Sequence, residues 1–355
     1  MTDSTDVGRG GSAPSLPVHE STPADTRVQV STGTLPDFAT VRDLLAAARR
    51  TYQDVTDGAV ADYIPALARA SPELFGIAVA GVGGRVVGVG DSAHAFTIQS
   101  VAKPFVFALV CENLGHREVR ERLGVNATGL PFDSVMAVEL ATDGLTNPLV
   151  NSGAIATTSL APGRTADLKW TFLRTGLSRF AGRDLELDED VLASERATNG
   201  RNEAMARLLV GHGRIYFDPD EATDVYTRQG SLLVTAEDLA LMGATLADGG
   251  VNPLTRRRVV SEDTCRRTLA LMLTAGLYER SGDWLYEVGL PAKSGISGGI
   301  VTIAPGKGGL ATYSPPLDRA GNSVRGQRAT KLLSEALGLD LLASTAVDEN
   351  GAAGD

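Results

Sequence analysis

The sequence contains little cysteine and little histidine, and each shortage excludes a class of protein. Its two cysteines, Cys111 and Cys265, cannot form the disulfide framework of a small secreted domain. Both lie in apolar segments with helical periodicity, and we interpret them as buried thiols. The four histidines show no metal-ligand spacing. We therefore predict no metal site and no cofactor, and a metal-dependent amidohydrolase is disfavoured.

Net positive charge and long apolar runs are missing as well. The formal net charge is -10 at pH 7 and no basic stripe is visible, so we do not expect nucleic acid as a partner. No run of about 18 uninterrupted apolar residues occurs, which predicts that the chain does not span a membrane. The polar N-terminus lacks the apolar region of a secretory signal. From these absences we expect a cytoplasmic protein.

The composition fits a globular protein with loose ends. Of the 355 residues, 43% are hydrophobic, and the length suits one large domain or two coupled ones. Residues 1–33 are rich in Ser, Thr, Gly, Pro and Asp, and we predict that they are disordered. The polar tail, 341–355, is predicted to be loose. The functional domain is therefore expected within 34–340.

Strand signals lie near both ends of this domain. Residues 75–82 and 85–90 are predicted strands, and Gly83–Gly84 between them is a hairpin signal. Strand character returns at 298–303 and 309–313, where glycine and proline mark the turn between the segments. The pattern between these two regions is mostly helical.

This order of elements predicts an α/β fold of the α+β type. Both ends of the chain would build one antiparallel sheet, and a helical cluster would be inserted between its parts. The sheet subdomain would comprise about 34–118 and 278–340, and the helical subdomain about 119–277.

The stretch from Phe96 to Cys111 carries the first chemical motif. It contains Ser100 and Lys103 in a Ser-x-x-Lys element that opens an apolar helix. Residues three apart share one face of a helix, and the first turn of a helix favours developing negative charge. A serine nucleophile needs a base, and lysine can serve when burial lowers its pKa. Taken alone, the motif could also be a capping serine and a solvated lysine.

A second motif lies far downstream. Lys293-Ser294-Gly295 belongs to a glycine-rich segment with strand character. A Lys-[Ser/Thr]-Gly strand beside the nucleophile helix accompanies Ser-x-x-Lys in β-lactamases and penicillin-binding proteins. A turn with an exposed lysine is the alternative. In a fold with a sheet and an inserted helical cluster, Ser100 would face the cleft between these two parts.

Several polar clusters point to a substrate. They lie at 147–155, 194–202, 224–231 and 276–282. Together with Ala-Asp-Tyr63-Ile-Pro, Phe-Thr-Ile-Gln-Ser100 and Gly-Leu-Pro-Ala-Lys-Ser-Gly-Ile296, they closely resemble the serine-dependent glutaminase family. The resemblance runs from about Asp37 to Leu337 and keeps the family order and near-family spacing. One departure is Gly230, where many members carry cysteine, and we expect little consequence for the chemistry.

The resemblance implies a fold similar to that of β-lactamases and DD-peptidases, and hydrolysis of L-glutamine to L-glutamate and ammonia. It also implies a homo-oligomer, either a dimer or a tetramer. Ser100 matches the nucleophile and Lys103 its general base. The N–H groups of Ser100 and Ile296 match the oxyanion hole, and Lys293 would shape the field in the cleft or be structural. The glutamine-binding or proton-relay positions match Tyr63, Asn151, Glu195, Asn202, Tyr226 and Tyr278.

The chemistry of free glutamine agrees with these roles. Glu195 can pair with the α-ammonium. Asn151, Asn202 and Tyr226 can donate to the α-carboxylate without adding positive charge. Any one of these residues alone could be a helix-start residue, a solvated charge or a half-buried aromatic. The candidate donors of a proton to the leaving ammonia are Tyr63, Tyr278 and Lys103.

Two other functions stay open. A β-lactamase, esterase or peptidase of the same serine class would share Ser100 and Lys103. The expected lack of a signal peptide disfavours a cell-wall substrate, and the clusters around Asn151 and Glu195 favour an amino acid. A non-catalytic amino-acid-binding or scaffolding protein would not need both lysine motifs intact.

Overall fold

The structure is a computed structural model, and it describes residues 34–344. The predicted disordered segment, 1–33, lies outside the described residues, as does most of the predicted loose tail. The described part of that tail, 341–344, contains no helix or strand.

The strands of the main sheet lie near both ends of the described chain and most helices lie between them, as the sequence predicts. The helices are α1 Phe38–Tyr52, α2 Ala102–Leu114, α3 His116–Leu123, α4 Met136–Glu139, α5 Asn151–Ser159, α6 Ala166–Ala181, α7 Glu189–Ala197, α8 Gly200–Gly211, α9 Pro219–Gly230, α10 Ala236–Ala247, α11 Glu262–Ala275, α12 Ser281–Val288 and α13 Val324–Ala336. The strands are β1 Gly76–Gly81, β2 Val86–Gly90, β3 Phe96–Thr97, β4 Leu233–Val234, β5 Ala292–Ser294, β6 Gly299–Ala304 and β7 Gly308–Tyr313.

One antiparallel sheet joins the two ends of the chain. Its strand order is β2-β1-β7-β6-β5, and every neighbouring pair is antiparallel. The N-terminal hairpin meets the C-terminal strands where β1 pairs with β7, with Ile77 opposite Thr312. The predicted hairpin turn forms, and Gly84 has φ +87°, a conformation that glycine adopts without strain. The predicted sheet is therefore confirmed.

Helices cover both faces of this sheet. On β1, Ile77 and Val79 pack into a core with α1 and α13, whereas Ala78 and Ala80 point into the core formed with α2 and α10. The small residues let α10 approach closely. A Cβ at Gly309 would lie only 2.1 Å from the carbonyl oxygen of Ala240 in α10.

Helix α10 lies within 119–277, the range predicted as the helical subdomain. It nevertheless packs on strands β1, β6 and β7 of the main sheet. Its sequence gives the reason, because α10 is buried along nearly its whole length and needs an apolar partner on two sides. The predicted subdomain boundaries stay a prediction.

A short second ribbon was not predicted. Strand β3 pairs with β4, so that Phe96 lies opposite Val234 and Thr97 opposite Leu233. The Ile98 N–H then donates to the Leu232 carbonyl at 2.8 Å. This ribbon fixes the chain immediately before Ser100. Among residues 34–344, no helix combines the length and the apolarity that a membrane crossing requires.

Candidate active site

Ser100 lies on a 3₁₀ turn, Gln99–Val101, that leads directly into α2. The sequence predicted Ser100 in the first turn of the α-helix, whereas in the structure Ser100 lies just before α2 begins. Gln99 has φ +48°, which is costly for a residue with a side chain. The β3–β4 ribbon on one side and the buried α2 on the other hold this turn in place. Ser100 is 8% exposed.

Lys103, three residues after Ser100, is a buried base in the first turn of α2. It is 2% exposed, and its Nζ donates to Asn151 Oδ1 at 2.6 Å. Burial lowers the pKa of Lys103 to about 7, although Glu195 and Asp133 oppose the shift. A lysine with this pKa is largely uncharged at slightly alkaline pH, and it can then accept a proton.

The Lys-Ser-Gly segment lies beside the turn that carries Ser100. Strand β5 packs against that turn, and a Cβ at Gly295 would lie 3.1 Å from the Ile98 carbonyl oxygen. Within residues 34–344, the Ile296 N–H has no hydrogen-bond acceptor. A free N–H beside a serine turn is suited to bind an oxyanion.

Lys293 and Tyr278 form a buried pair behind this strand. Lys293 is 0% exposed, and burial keeps its pKa well below the usual value for lysine. Its Nζ lies 4.0 Å from the centroid of the Tyr278 ring and donates to the Ser294 carbonyl at 2.7 Å. Burial raises the pKa of Tyr278 to about 12, and hydrogen bonds with Ser100 and Ser294 oppose the shift. Tyr278 also has φ +57°.

A chain of side-chain hydrogen bonds runs away from Lys103. Asn151 Oδ1 accepts from Lys103 and, at 3.1 Å, from the Tyr226 hydroxyl. Since that oxygen accepts twice, the Asn151 amide nitrogen must donate, and it does so to Asn202 Oδ1 at 3.0 Å. The Asn202 Nδ2 donates to Asn199 Oδ1 at 2.6 Å. The chain ends where Asn199 donates to Thr227 Oγ1 at 2.9 Å in α9.

Glu195 is the buried acid of the site. It lies near the end of α7, is 8% exposed, and accepts a hydrogen bond from Gln99 Nε2 at 3.3 Å. Burial raises the pKa of Glu195 to about 7, while Gln99 and Lys103 lower it. Within residues 34–344, no arginine or lysine forms a salt bridge with this carboxylate. It is therefore free to receive a cation from a ligand.

These residues surround a small cavity of about 110 Å³. Pockets for drug-sized ligands are larger, from about 300 Å³ upward. Tyr63 lies at the mouth and is 53% exposed, which fits a residue that meets the ligand from the solvent side. The predicted site residues that line the cavity are Tyr63, Ser100, Asn151, Glu195, Asn202, Tyr226 and Ile296.

The other three predicted residues, Lys103, Tyr278 and Lys293, lie behind this lining. Phe132, which lines the cavity, packs against Tyr278, with the two ring centroids 4.5 Å apart. The mouth also carries an ion pair between Arg201 and Asp133.

Sequence reasoning gave no role to several other residues that line the cavity. Gln99 and Asn199 lie inside quoted motifs, so adjacency to Ser100 and Asn202 was the available signal. Arg201 stands beside Asn202 in the same cluster, whereas Phe132 and Asp133 had no such signal, because their positions depend on packing between distant segments.

Comparison with known proteins places these features in a family. A glutaminase family model matches residues 58–342. Glutaminase 2 of Yersinia pestis is 58% identical over 315 residues, covering 89% of this chain and 93% of the relative. The glutaminase of Colwellia psychrerythraea is 47% identical over 302 residues, covering 85% of this chain and 97% of the relative.

Solved structures agree with the fold. The probable glutaminase ybaS superposes with a TM-score of 0.85 at 43% identity, covering 87% of this chain and 100% of that chain. The glutaminase YbgJ of Bacillus subtilis, in a covalent complex with 5-oxo-L-norleucine formed from 6-diazo-5-oxo-L-norleucine, superposes with a TM-score of 0.76 at 31% identity. This match covers 86% of this chain and 99% of that chain. The predicted fold class is confirmed, and the chain belongs to the glutaminase family of enzymes, which hydrolyse L-glutamine.

Proposed function

We propose that this chain hydrolyses L-glutamine through a γ-glutamyl ester on Ser100, with Lys103 as the general base. The observation that carries the proposal is the buried lysine one helical turn from the serine. Its pKa is lowered to about 7, so that a large fraction of Lys103 is uncharged near neutral pH. A serine hydroxyl becomes a competent nucleophile when such a base can take its proton.

The first half of the reaction forms the ester. The Ser100 oxygen attacks the carboxamide carbon as its proton passes to Lys103 Nζ. The carbonyl oxygen becomes an oxyanion, which the N–H groups of Ser100 and Ile296 bind; each such donor is worth about 3 kcal/mol. The carbon–nitrogen bond then breaks, and the nitrogen leaves as ammonia after it gains a proton from Lys103, Tyr278 or Tyr63.

The second half consumes water. A water molecule attacks the ester carbon, its proton is taken up by the site, and the tetrahedral intermediate releases glutamate as Ser100 regains its hydrogen. Lys103 is suited to both proton transfers if the proton that it took from Ser100 goes to the leaving nitrogen, directly or by reprotonating the tyrosine that served as donor, because Lys103 is then uncharged when water attacks. Lys293, whose pKa burial also lowers, packs over Tyr278 and would fix the position of that ring.

Substrate recognition follows from the uncharged and charged groups around the cavity. Glu195 would bind the α-ammonium, and this pairing lowers its pKa so that it is ionised in the complex. Each amide group of Asn151 and Asn202 uses one N–H within the hydrogen-bond chain and keeps a second for the α-carboxylate. Tyr226 donates to Asn151, so it would have to rotate its O–H to reach the carboxylate.

The alternative is another serine hydrolase of the β-lactamase or peptidase class. The cavity volume of about 110 Å³ and the buried Glu195 favour a single amino acid over a peptide or a bicyclic lactam. The same assay separates the two functions. Ammonia release is measured from glutamine, asparagine and γ-glutamyl amides, beside hydrolysis of a chromogenic β-lactam.

The decisive variant is Ser100→Ala, which should lower kcat on glutamine by several orders of magnitude. Ser297→Ala is the matched control, because this nearby serine is also buried and its hydroxyl has no partner within residues 34–344. Full activity of Ser100→Ala would remove the nucleophile assignment. Faster hydrolysis of the β-lactam than of glutamine would favour the alternative.

Assembly and location are further expectations from the family resemblance. A homo-oligomer, dimer or tetramer, is expected, and light scattering of the purified protein measures its mass directly. A monomer at assay concentration would contradict this expectation. The cytoplasmic location is tested by fractionation of the source cells.

A further inference from the structure

A second and larger concave site lies outside the active site. A groove of about 750 Å³ runs between α6 and residues 255–259. This volume falls within the usual range for ligand sites, about 300–1,000 Å³. The charged side chains that line the groove are Arg174, Arg179, Arg183, Arg257, Arg258 and Asp184. Five arginines against one carboxylate is an unusual local excess in a chain whose net charge is -10.

Two of these arginines are already engaged. Arg183 forms a bidentate salt bridge with Asp238, with hydrogen bonds of 2.9 and 2.7 Å. Arg258 donates to the Gly249 carbonyl at 2.8 Å. Because these contacts hold both side chains in place, they form a fixed part of the groove wall.

The other three arginines have no acidic partner. Within residues 34–344, Arg174, Arg179 and Arg257 form no salt bridge. Arg174 uses Nε to donate to the Leu185 carbonyl at 3.0 Å, which leaves both terminal nitrogens free. Arg174 and Arg179 lie on α6 and Arg257 lies on the opposite wall, so the free guanidinium groups flank the groove.

The two walls are tied together by one buried side chain. Asn252 is 0% exposed, and its Nδ2 donates to the carbonyls of Arg179 and Phe180 at the end of α6. Its Oδ1 accepts from the N–H groups of Leu254 and Thr255. The loop that carries Arg257 is therefore positioned by the protein before any ligand arrives, which lowers the cost of binding.

We propose that this groove binds a small molecule that carries two or more linked phosphate groups. Guanidinium groups match phosphate oxygens in geometry and in charge. Free guanidiniums on both walls suit an extended anion better than a single phosphate. Trp170, half-buried on α6, lines the same groove and offers an aromatic face to a base. The site is independent of the glutamine reaction, since it shares no lining residue with the active-site cavity.

Calorimetric titration of the full chain tests the proposal with four probes: inorganic phosphate, tripolyphosphate, ATP and adenosine. Tripolyphosphate and ATP should bind, phosphate should bind at least about tenfold more weakly, and adenosine should not bind. Binding should weaken as salt is raised from low to physiological concentration. If ATP binds more tightly than tripolyphosphate and Trp170→Ala removes this difference in affinity, the adenine base of ATP contacts Trp170.

Variants locate the site. Arg174→Gln and Arg257→Gln remove one charge from each wall, and each should weaken tripolyphosphate binding about tenfold. Arg117→Gln is the matched control, because Arg117 is exposed on α3 and outside the groove. All three variants should keep glutaminase activity, which shows that they fold. The proposal is overturned if tripolyphosphate does not bind, or if Arg117→Gln weakens binding as much as the two groove variants.

Discussion

Two buried lysines lie at opposite ends of α5, and they differ in what surrounds them. Lys103 is 2% exposed and Lys169 is 5% exposed. At the first residue of α5, Lys103 donates to the side chain of Asn151. Near the last residue, Lys169 donates to the backbone carbonyls of Ser159 and Ala161. Burial lowers the pKa of both lysines.

The direction of the helix explains why only one of them is suited to be a base. The carbonyl end of a helix attracts a cation, and its otherwise unpaired carbonyls need a donor, so Lys169 is stabilised as an ammonium. Lys103 lies near the N-terminal ends of both α2 and α5, where a positive charge is disfavoured. Burial of a lysine therefore indicates a base only where the local dipoles also oppose the charge.

Replacing each lysine in turn tests the difference between Lys103 and Lys169 and has the largest expected effects. Lys103→Met should lower kcat on glutamine at least about 1,000-fold while the free energy of unfolding changes little, because the lost group acts in proton transfer. Lys169→Met should leave kcat of the folded enzyme within a few-fold, but lower the free energy of unfolding by about 1–3 kcal/mol, since two buried carbonyls lose their donor. Ammonia release and urea unfolding measure both effects. Similar kcat losses in the two variants would contradict the distinction.

Glu195→Gln should have the next largest effect. Loss of a charged partner for the α-ammonium should raise KM about 10–100-fold, with a smaller change in kcat. Glu189→Gln is the control, because this exposed carboxylate lies at the start of the same helix. An unchanged KM in Glu195→Gln would remove the ammonium-binding role.

The pH profile sharpens the assignment of charge states. Below pH 7, Lys103 is protonated and Glu195 is neutral, because both have pKa values of about 7. Activity needs the opposite forms, so kcat/KM should rise with pH through about 7, with a limiting acid-side slope near two. In Glu195→Gln only the lysine titrates, and the slope should fall to about one. A profile that falls as the pH rises from 6 to 8 would exclude an uncharged lysine base.

The smallest expected effect concerns Asn199, near the far end of the chain of side-chain hydrogen bonds that starts at Lys103. Asn199→Ala should raise KM about fivefold, because Asn202 loses the acceptor that orients it, worth about 1 kcal/mol. Asn199→Asp keeps an acceptor for Asn202 and should restore KM most of the way. Equal KM values for the alanine and aspartate variants would show that the hydrogen bond to Asn202 does not position the substrate.

Local patterns predicted much of the fold. The strand and turn signals of β1, β2, β6 and β7 are properties of neighbouring residues, as is the capping contact in which the Thr235 side chain accepts from the Asp238 N–H. The two-residue strands β3 and β4 are too short to show alternation. The packing of α10 on the sheet depends on contacts between distant segments.

The candidate site likewise contains residues that local motifs reveal and residues whose contacts depend on the fold. Ser100, Lys103 and Lys293 stand in short motifs that sequence reasoning could find. Gln99 and Asn199 work through partners far along the chain, Glu195 and Thr227. Adjacency to Ser100 and Asn202 could single out Gln99 and Asn199, but only the folded structure shows which partners they bind.

The most direct test of the account is covalent labelling with 6-diazo-5-oxo-L-norleucine, the reagent that formed the adduct in the Bacillus subtilis relative. Peptide mass spectrometry would identify the labelled residue, and the labelling rate would be compared in the wild-type chain and in Lys103→Met. We expect the adduct on Ser100 and a labelling rate at least about 100-fold slower without the lysine. An adduct on another residue, or an unchanged rate in Lys103→Met, would contradict the claim that an uncharged Lys103 activates Ser100.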